Sequence, residues 1–248
     1  METAKKIASE IALTKRAELL EHFKASPIPD EEKIRNLGLF LLPQELKKFL
    51  FLNDLYQKVM DVHGVIMEFG VRWGQNLSVF QSLRSIYEPY NHSRKIVGFD
   101  TFEGFKSIKK SDGNDKIIRD GALTVPDGYD SFLRAVLRTL EYQSPISELQ
   151  KFEVVKGNAT VTVKKYLKQH PETIVALAYF DLDIYQPTRV ALQAILSRVP
   201  KGGIICFDEL NCPIFPGETL AYEEVLGIRA HKLRRSPFSH LQSYVVME

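Results

Sequence analysis

The chain has 248 residues, 44% of them hydrophobic and 26% charged, with a formal net charge of +2. These are ordinary globular values that fit one large α/β domain, or such a domain with an added helical cap. They give no argument for a nucleic-acid partner, and none is expected; the short basic tract Lys232–Arg235 reads as the solvated face of an edge strand.

At the N-terminus, Glu2, Glu10 and Glu18 exclude a signal h-region and an acid-poor transit peptide. No apolar run approaches the about 20 residues that span a bilayer. Cys206 lies in an apolar run and Cys212 in a loop before Pro213, so free thiols and a cytoplasmic location, away from any membrane, are expected.

Residues 3–24 read as an amphipathic helix, with Ala4, Ile7, Ala8 and Ile11 at helical spacing, broken by "SPIPD" at 26–30. A second helix starts at Pro43 and runs to about residue 62, with Leu46, Phe49, Leu50, Leu55, Tyr56 and Val59 on one face and Gly64 as its stop. Strands are then predicted at 64–70, 95–100, 152–157, 174–181 and 202–208, and helices at 76–87, about 130–142, 160–169 and 187–199. This alternation predicts a parallel sheet with helices on both faces. "HKLRRSP" and "SYVVME" read as an antiparallel hairpin that closes it. The organisation is an N-terminal helical extension, 1–62, and a core, 63–248. The polar stretch 101–130, with glycines at 104, 113, 121 and 128, is expected to form a lid-like insertion.

In an open α/β sheet, ligands bind outside the carboxyl ends of the strands. The first strand ends "EFGVRWG", an E-x-G-x-x-x-G loop of Glu68, Gly70 and Gly74. It differs from the phosphate-binding G-x-G-x-x-G, and a carboxylate in it suits a cationic group such as an amino acid's ammonium; equally it is a glycine turn with a surface glutamate. The second strand ends at Asp100, placed to grip ribose hydroxyls or to cap a turn, with Phe102 able to stack on a base. The third ends "KGNAT", where Asn158 reads an adenine edge or caps the next helix.

Asp181 and Asp183 end the fourth strand, and Asp208 and Glu209 the fifth. Carboxylates crowded on adjacent tips repel one another unless a cation neutralises them. Oxygen donors without histidine or cysteine suit Mg²⁺, Mn²⁺ or Ca²⁺ rather than zinc. Against this, Asp183 could cap the helix at Pro187 and Glu209 could face solvent, which leaves Asp181 and Asp208 unexplained.

These motifs together resemble a Rossmann-like S-adenosylmethionine-dependent methyltransferase. "YFDLDIYQPT", "GGIICFDELN", "FPGET" and the "LRRSPFSHLQSYVVME" ending are similar to the macrocin O-methyltransferase group, bacterial enzymes that methylate sugar hydroxyls. The likeness covers about residues 40–248. It implies a mostly parallel seven-stranded sheet, with Glu68, Phe69, Gly70, Gly74 and Asn76 around the methionine moiety of the cofactor. Asp100, Thr101 and Phe102 would serve the ribose side, and Asn158 and Ala159 the adenine. Asp181, Asp208 and Glu209 match divalent-metal positions, for Mg²⁺ or Mn²⁺. Related catechol-type enzymes carry a lysine shortly after the first metal aspartate, whereas this chain has Ile184 and Tyr185. The base is therefore sought in Asp183 first and His231 second. Glu218 and Thr219, in the loop after the metal pair, are candidates to contact the acceptor, a small molecule with a hydroxyl group. The apolar faces of the N-terminal helices cover the sheet or pair with a second subunit, which gives a homodimer as the expected assembly.

Two other classes stay open. D-x-D with a divalent metal also serves glycosyltransferases, and the fold could bind cofactor or sugar as a non-catalytic partner subunit. A nicotinamide dehydrogenase fits the alternation but lacks the G-x-G-x-x-G.

Overall fold

The computed structural model describes residues 10–248. The chain divides into two compact units, the first ending at Lys48 and the second spanning Phe49–Glu248.

In the first unit, α1 (Glu10–Lys24) and α2 (Asp30–Arg35) bury no residue. Phe23 meets Phe40 edge-on at 5.1 Å, and the Lys33 ammonium lies 5.4 Å from the Phe23 ring. Residues 3–9 of the expected first helix, including Ala4, Ile7 and Ala8, lie outside the described residues. Ile11 is 74% exposed, so what the spacing marks as an apolar face is not a core face here.

The second unit begins inside α3 (Pro43–Lys58), ahead of the sequence-based boundary at 62, because Phe51, Leu52, Leu55 and Tyr56 of that helix are fully buried in its core. A seven-stranded sheet follows, built from β1 (Val65–Phe69), β2 (Ile96–Asp100), β3 (Phe152–Lys156), β4 (Val175–Phe180), β5 (Ile204–Phe207), β6 (Arg234–Arg235) and β7 (Ser243–Val246). Their order is β3-β2-β1-β4-β5-β7-β6; the first five are parallel, and β7 pairs antiparallel with both β5 and β6. This is an α/β Rossmann-like methyltransferase fold. One face packs on α3, α4 (Gln75–Tyr87) and α5 (Tyr129–Glu141), the other on α6 (Ala159–Gln169), α7 (Tyr185–Ile195) and α8 (Gly217–Val225). No described helix is long and apolar enough to cross a membrane, and Cys206 and Cys212 are both buried free thiols.

A row of phenylalanines levels the strand ends. Phe99, Phe69, Phe180 and Phe207 are fully buried and stack in that order across β2, β1, β4 and β5, at centroid separations of 5.0, 4.7 and 5.2 Å. Each such pair adds about 0.5–1.5 kcal/mol beyond its buried area. The register they fix brings the next residues, Asp100, Gly70, Asp181 and Asp208, to one level at the carboxyl edge.

The opposite edge is closed by a buried ion pair. Arg94 donates from Nε to Glu88 (2.9 Å), from Nη1 to the carbonyl of Gly64 (2.6 Å) and from Nη2 to that of Val59 (3.0 Å), and Tyr56 donates to Glu88. Burial alone would raise the Glu88 carboxyl, but hydrogen bonds from Arg94, Tyr56 and Asn91 outweigh it and hold it below its usual value of 4.5. A carboxyl depressed in the folded state stabilises above its unfolded pKa, and that stability drains away as pH falls through the folded value. Thermal melts from pH 7 to 3 are expected to show wild type above Glu88→Gln at neutral pH, with the two converging below about pH 4. A gap independent of pH would contradict this.

Candidate active site

The glycine loop is shaped by the protein's own backbone. Gly70 has φ +96°, and a Cβ there would stand 1.8 Å from the Asp181 carbonyl oxygen; at Gly74, φ +79°, it would meet Leu133 at 2.3 Å. Glu68 lies within β1 rather than in the loop, 1% exposed, and strand alternation puts it on the α4 face with Ile66. Phe69 belongs to the aromatic row and offers the site only its backbone, whose carbonyl accepts from Asp181 N–H at 2.8 Å. Asn76, in the first turn of α4, is 3% exposed, and its Oδ1 is buried without a hydrogen-bond partner among the described residues.

Asp100 binds the loop. Its Oδ2 accepts from the amides of Val71 (2.7 Å) and Arg72 (2.8 Å), and its Oδ1 from that of Phe102 (2.6 Å). A carboxylate has about four acceptor positions, and three of those of Asp100 go to backbone, which is the turn-capping role the sequence also allowed. The Phe102 side chain is 6% exposed within the main apolar cluster, which corrects its assignment as a base-stacking ring. Thr101 closes a turn through Gly104 and Glu103. Asn158 N-caps α6, accepting from Thr160 N–H at 2.9 Å, and Ala159 is buried behind it.

Acidic residues converge between β4 and β5. Asp181, Asp208 and Glu209 each offer an oxygen within 4.8 Å of the others. Beside them Asp183 is 6% exposed and held at φ +63°, a left-handed conformation that costs a non-glycine residue about 1–3 kcal/mol. Left-handed non-glycine residues also lie just beyond β1, β2 and β5, at Arg72, Phe102 and Asn211. Strain gathers at the tips.

Glu218 explains how this crowded turn is held, and it is a correction. Expected to face an acceptor, it is fully buried at the start of α8. Its Oε1 accepts from the amides of Leu182 (3.1 Å) and Asp183 (3.4 Å), and its Oε2 from that of Glu209 (3.2 Å). One side chain thus ties the two strand tips together. Burial first, then the neighbouring carboxylates led by Asp183, push the carboxyls of Glu209 and Glu218 well above their ordinary value. Thr219 holds the adjoining loop by accepting from Asn211 N–H at 2.9 Å.

His231 is not brought to this cluster. It precedes β6, an outer-edge strand that runs parallel to β5 because both oppose β7, so the chain reaches β6 from the amino end of the sheet. The 101–130 segment, expected as a lid-like insertion, is anchored to the core at several points. Phe105 and Ala122 pack with Ile184, Cys212 and Phe215, and buried Asp112 accepts from Tyr185 N–H at 2.7 Å, capping α7 from a distance.

Two site neighbours have no role assigned by the motifs that contain them. Tyr179 in β4 donates to Asp208, and Gln242 donates to Asp208 Oδ1 at 2.7 Å. Burial, then the charge of Asp208, push the Tyr179 phenol well above its usual value, so it stays a donor.

Comparison with protein-family models and with curated proteins returns no match. Solved structures do match. A crystal structure of CalS11, a calicheamicin methyltransferase, superposes with a TM-score of 0.94 at 42% identity, covering 96% of this chain and 93% of that one. The apo form of CalS11, described as a TDP-rhamnose 3'-O-methyltransferase of calicheamicin biosynthesis, gives 0.85 at 40% identity over 96% and 95%. The O-methyltransferase NovP, 18% identical with a TM-score of 0.60 over 81% and 79%, shares the fold. With identity of this order along nearly its whole length, and an acidic crevice at the carboxyl edge of the sheet, the chain belongs to the macrocin O-methyltransferase-like family of S-adenosylmethionine-dependent O-methyltransferases.

Proposed function

We propose that this enzyme methylates a sugar hydroxyl, and that Asp181, Asp208 and Glu209 hold a divalent cation, Mg²⁺ or Mn²⁺. The observation that carries the reading is the convergence of those three carboxylates within 4.8 Å at the tips of β4 and β5. The donor set fits such an ion: all oxygens are hard, and Glu209 Oε2 is buried without a hydrogen-bond partner among the described residues. Burial, and after it repulsion from the neighbouring carboxylates, pushes Glu209 and Glu218 toward their protonated forms, and a bound cation would relieve the repulsion. The sugar comes from CalS11, whose described substrate is TDP-rhamnose; a nucleotide sugar or a glycoside is the corresponding acceptor class here.

When bound, the cation would polarise the acceptor hydroxyl and stabilise negative charge on its oxygen. The chain's own residues do the rest. Asp183, held by Glu218 in its left-handed turn, accepts the hydroxyl proton. Glu68 and the Oδ1 of Asn76 serve the ammonium of the methionine moiety beside the Gly70–Gly74 loop. Asp100 shapes that loop against the ribose, and Asn158 and Ala159 flank the adenine. The 101–130 segment keeps water from the crevice. In the first unit, exposed Ile11, Ile34 and Leu39 offer apolar surface for pairing with a second copy.

Calorimetry with S-adenosylhomocysteine and, separately, Mn²⁺ tests the site, and methyl transfer to TDP-rhamnose tests the acceptor class. Wild type is expected to bind both, and Asp181→Ala to keep the first and lose the second. Methyl transfer that survives both Asp181→Ala and chelation would sink the cation reading.

A further inference from the structure

We propose that Tyr179 and Gln242 are positioning residues that orient Asp208 as a cation ligand; the inference rests on the cation reading above and extends it to two residues given no role by the motifs that contain them. Strand pairing puts them there. Tyr179 pairs with Cys206 and Phe180 with Phe207, and Asp208 N–H donates to Phe180 O at 2.9 Å. Side chains alternate along a strand. Tyr179 and Asp181 therefore leave β4 on the face from which Cys206 and Asp208 leave β5. Along that face the Tyr179 hydroxyl reaches Asp208 Oδ1 and donates to it.

Gln242 arrives from the other side. It immediately precedes β7, is 7% exposed, and donates from Nε2 to the same oxygen at 2.7 Å and to the Tyr179 hydroxyl at 3.2 Å. Its backbone is pinned in turn: Ser236 N–H donates to Gln242 O at 2.8 Å, and the next residue, Ser243, is in register with Phe207 on one side and Arg235 on the other. The C-terminal hairpin thus does more than close the sheet edge. It delivers a side-chain amide to the tip of β5.

Two donors that converge on one carboxylate oxygen fix both the plane and the direction of the group. Asp208 is thereby held in the arrangement that brings its ligand atom within 4.8 Å of those of Asp181 and Glu209. Partners of this outer kind contribute about 10–100-fold to metal affinity by orienting the ligand. The Tyr179 ring also packs in the core, edge-on to Phe80. Tyr179→Phe keeps that packing and removes the donor alone.

The test uses the full chain saturated with S-adenosylhomocysteine and titrated with Mn²⁺, with free Mn²⁺ read by electron paramagnetic resonance. Tyr179→Phe and Gln242→Met are each expected to weaken Mn²⁺ binding about 10–100-fold, while calorimetric affinity for S-adenosylhomocysteine stays at the wild-type value. Because both act on one oxygen, the double variant is expected to fall short of the product of the two losses. Variants that bind Mn²⁺ as wild type does overturn the inference, and if Gln242→Met no longer binds S-adenosylhomocysteine, Tyr179→Phe decides alone. Asp181→Ala separates the two levels. If wild type shows no Mn²⁺ binding that this variant removes, the cation reading falls and takes the inference with it; if that binding is present and Tyr179→Phe retains it, the inference alone falls.

Discussion

Gly70→Ala is expected to yield a protein that binds neither S-adenosylhomocysteine nor Mn²⁺. The added methyl would lie 1.8 Å from the Asp181 carbonyl oxygen and 2.5 Å from its carbon. Neither partner can step aside: Gly70 N–H donates to Phe99 O at 2.9 Å, and Asp181 N–H to Phe69 O at 2.8 Å. Left-handed strain adds about 1–3 kcal/mol, and overpacking costs about 1–3 kcal/mol even where flexible side chains can yield. Here the obstacle is backbone. The sum is comparable with the roughly 5–15 kcal/mol that holds a domain folded. Gly121→Ala is the control, since that residue has φ +75° but no atom within 4 Å of its added methyl. It should lose only the strain, about 1–3 kcal/mol by guanidinium denaturation, and keep both ligands. Equal behaviour of the two variants would show that conformation, not crowding between the two loops, sets the requirement at Gly70.

That contact also shows what a sequence can reveal. The five parallel strands were legible because both faces of the sheet are covered, so each reads as a compact apolar run between glycines and polar loops. The level of their tips was legible too, in a signal that is easy to pass over: β1, β2, β4 and β5 end "EFG", "GFD", "YFD" and "CFD". The shared phenylalanine is the buried row, and the residue after it in each strand lies at the crevice. Residue types that serve a ligand and residue types that serve the backbone are the same, however. Asp100 has the position of a ribose ligand, yet its oxygens go to loop amides. Phe102 has the chemistry of a base platform, yet its ring is core. Helix α8 was missed because "NCPIFPGET" carries two prolines and a glycine, the marks of a loop. Here Pro216 is the cap from which α8 starts. Without that helix Glu218 reads as a loop residue near a substrate. Tyr179 and Gln242 lie within the stretches "YFDLDIYQPT" and "LRRSPFSHLQSYVVME", yet nothing in either links the two, because what joins them is the pairing of β4, β5 and β7 across about 60 residues of chain, and no periodicity encodes it.

Glu218→Ala is expected to destabilise the protein by about 3 kcal/mol or more and to abolish Mn²⁺ binding, and the sign of the first effect is the informative part. Two terms oppose each other. Removing the carboxylate leaves the amides of Leu182, Asp183 and Glu209 without their acceptor, in a place where Glu218 itself is fully buried. Each buried amide so stranded costs about 1–3 kcal/mol. The same substitution takes one carboxyl out of a group whose members crowd one another, which favours the folded state. Proton uptake already blunts that repulsion, because burial and the neighbouring carboxylates favour the neutral form. Relief is therefore small, and the stranded amides win. Glu218→Gln separates the terms, since it keeps the volume and one accepting oxygen but turns a donor toward one of the tips. Its loss should be intermediate, about 1–2 kcal/mol, with Mn²⁺ bound more weakly because the Asp183 turn and the Glu209 tip are no longer tied to one side chain. Urea denaturation of the three proteins orders them. If Glu218→Ala proves as stable as wild type, repulsion outweighs the amide bonds, and the two tips are held by the sheet beneath them rather than by Glu218.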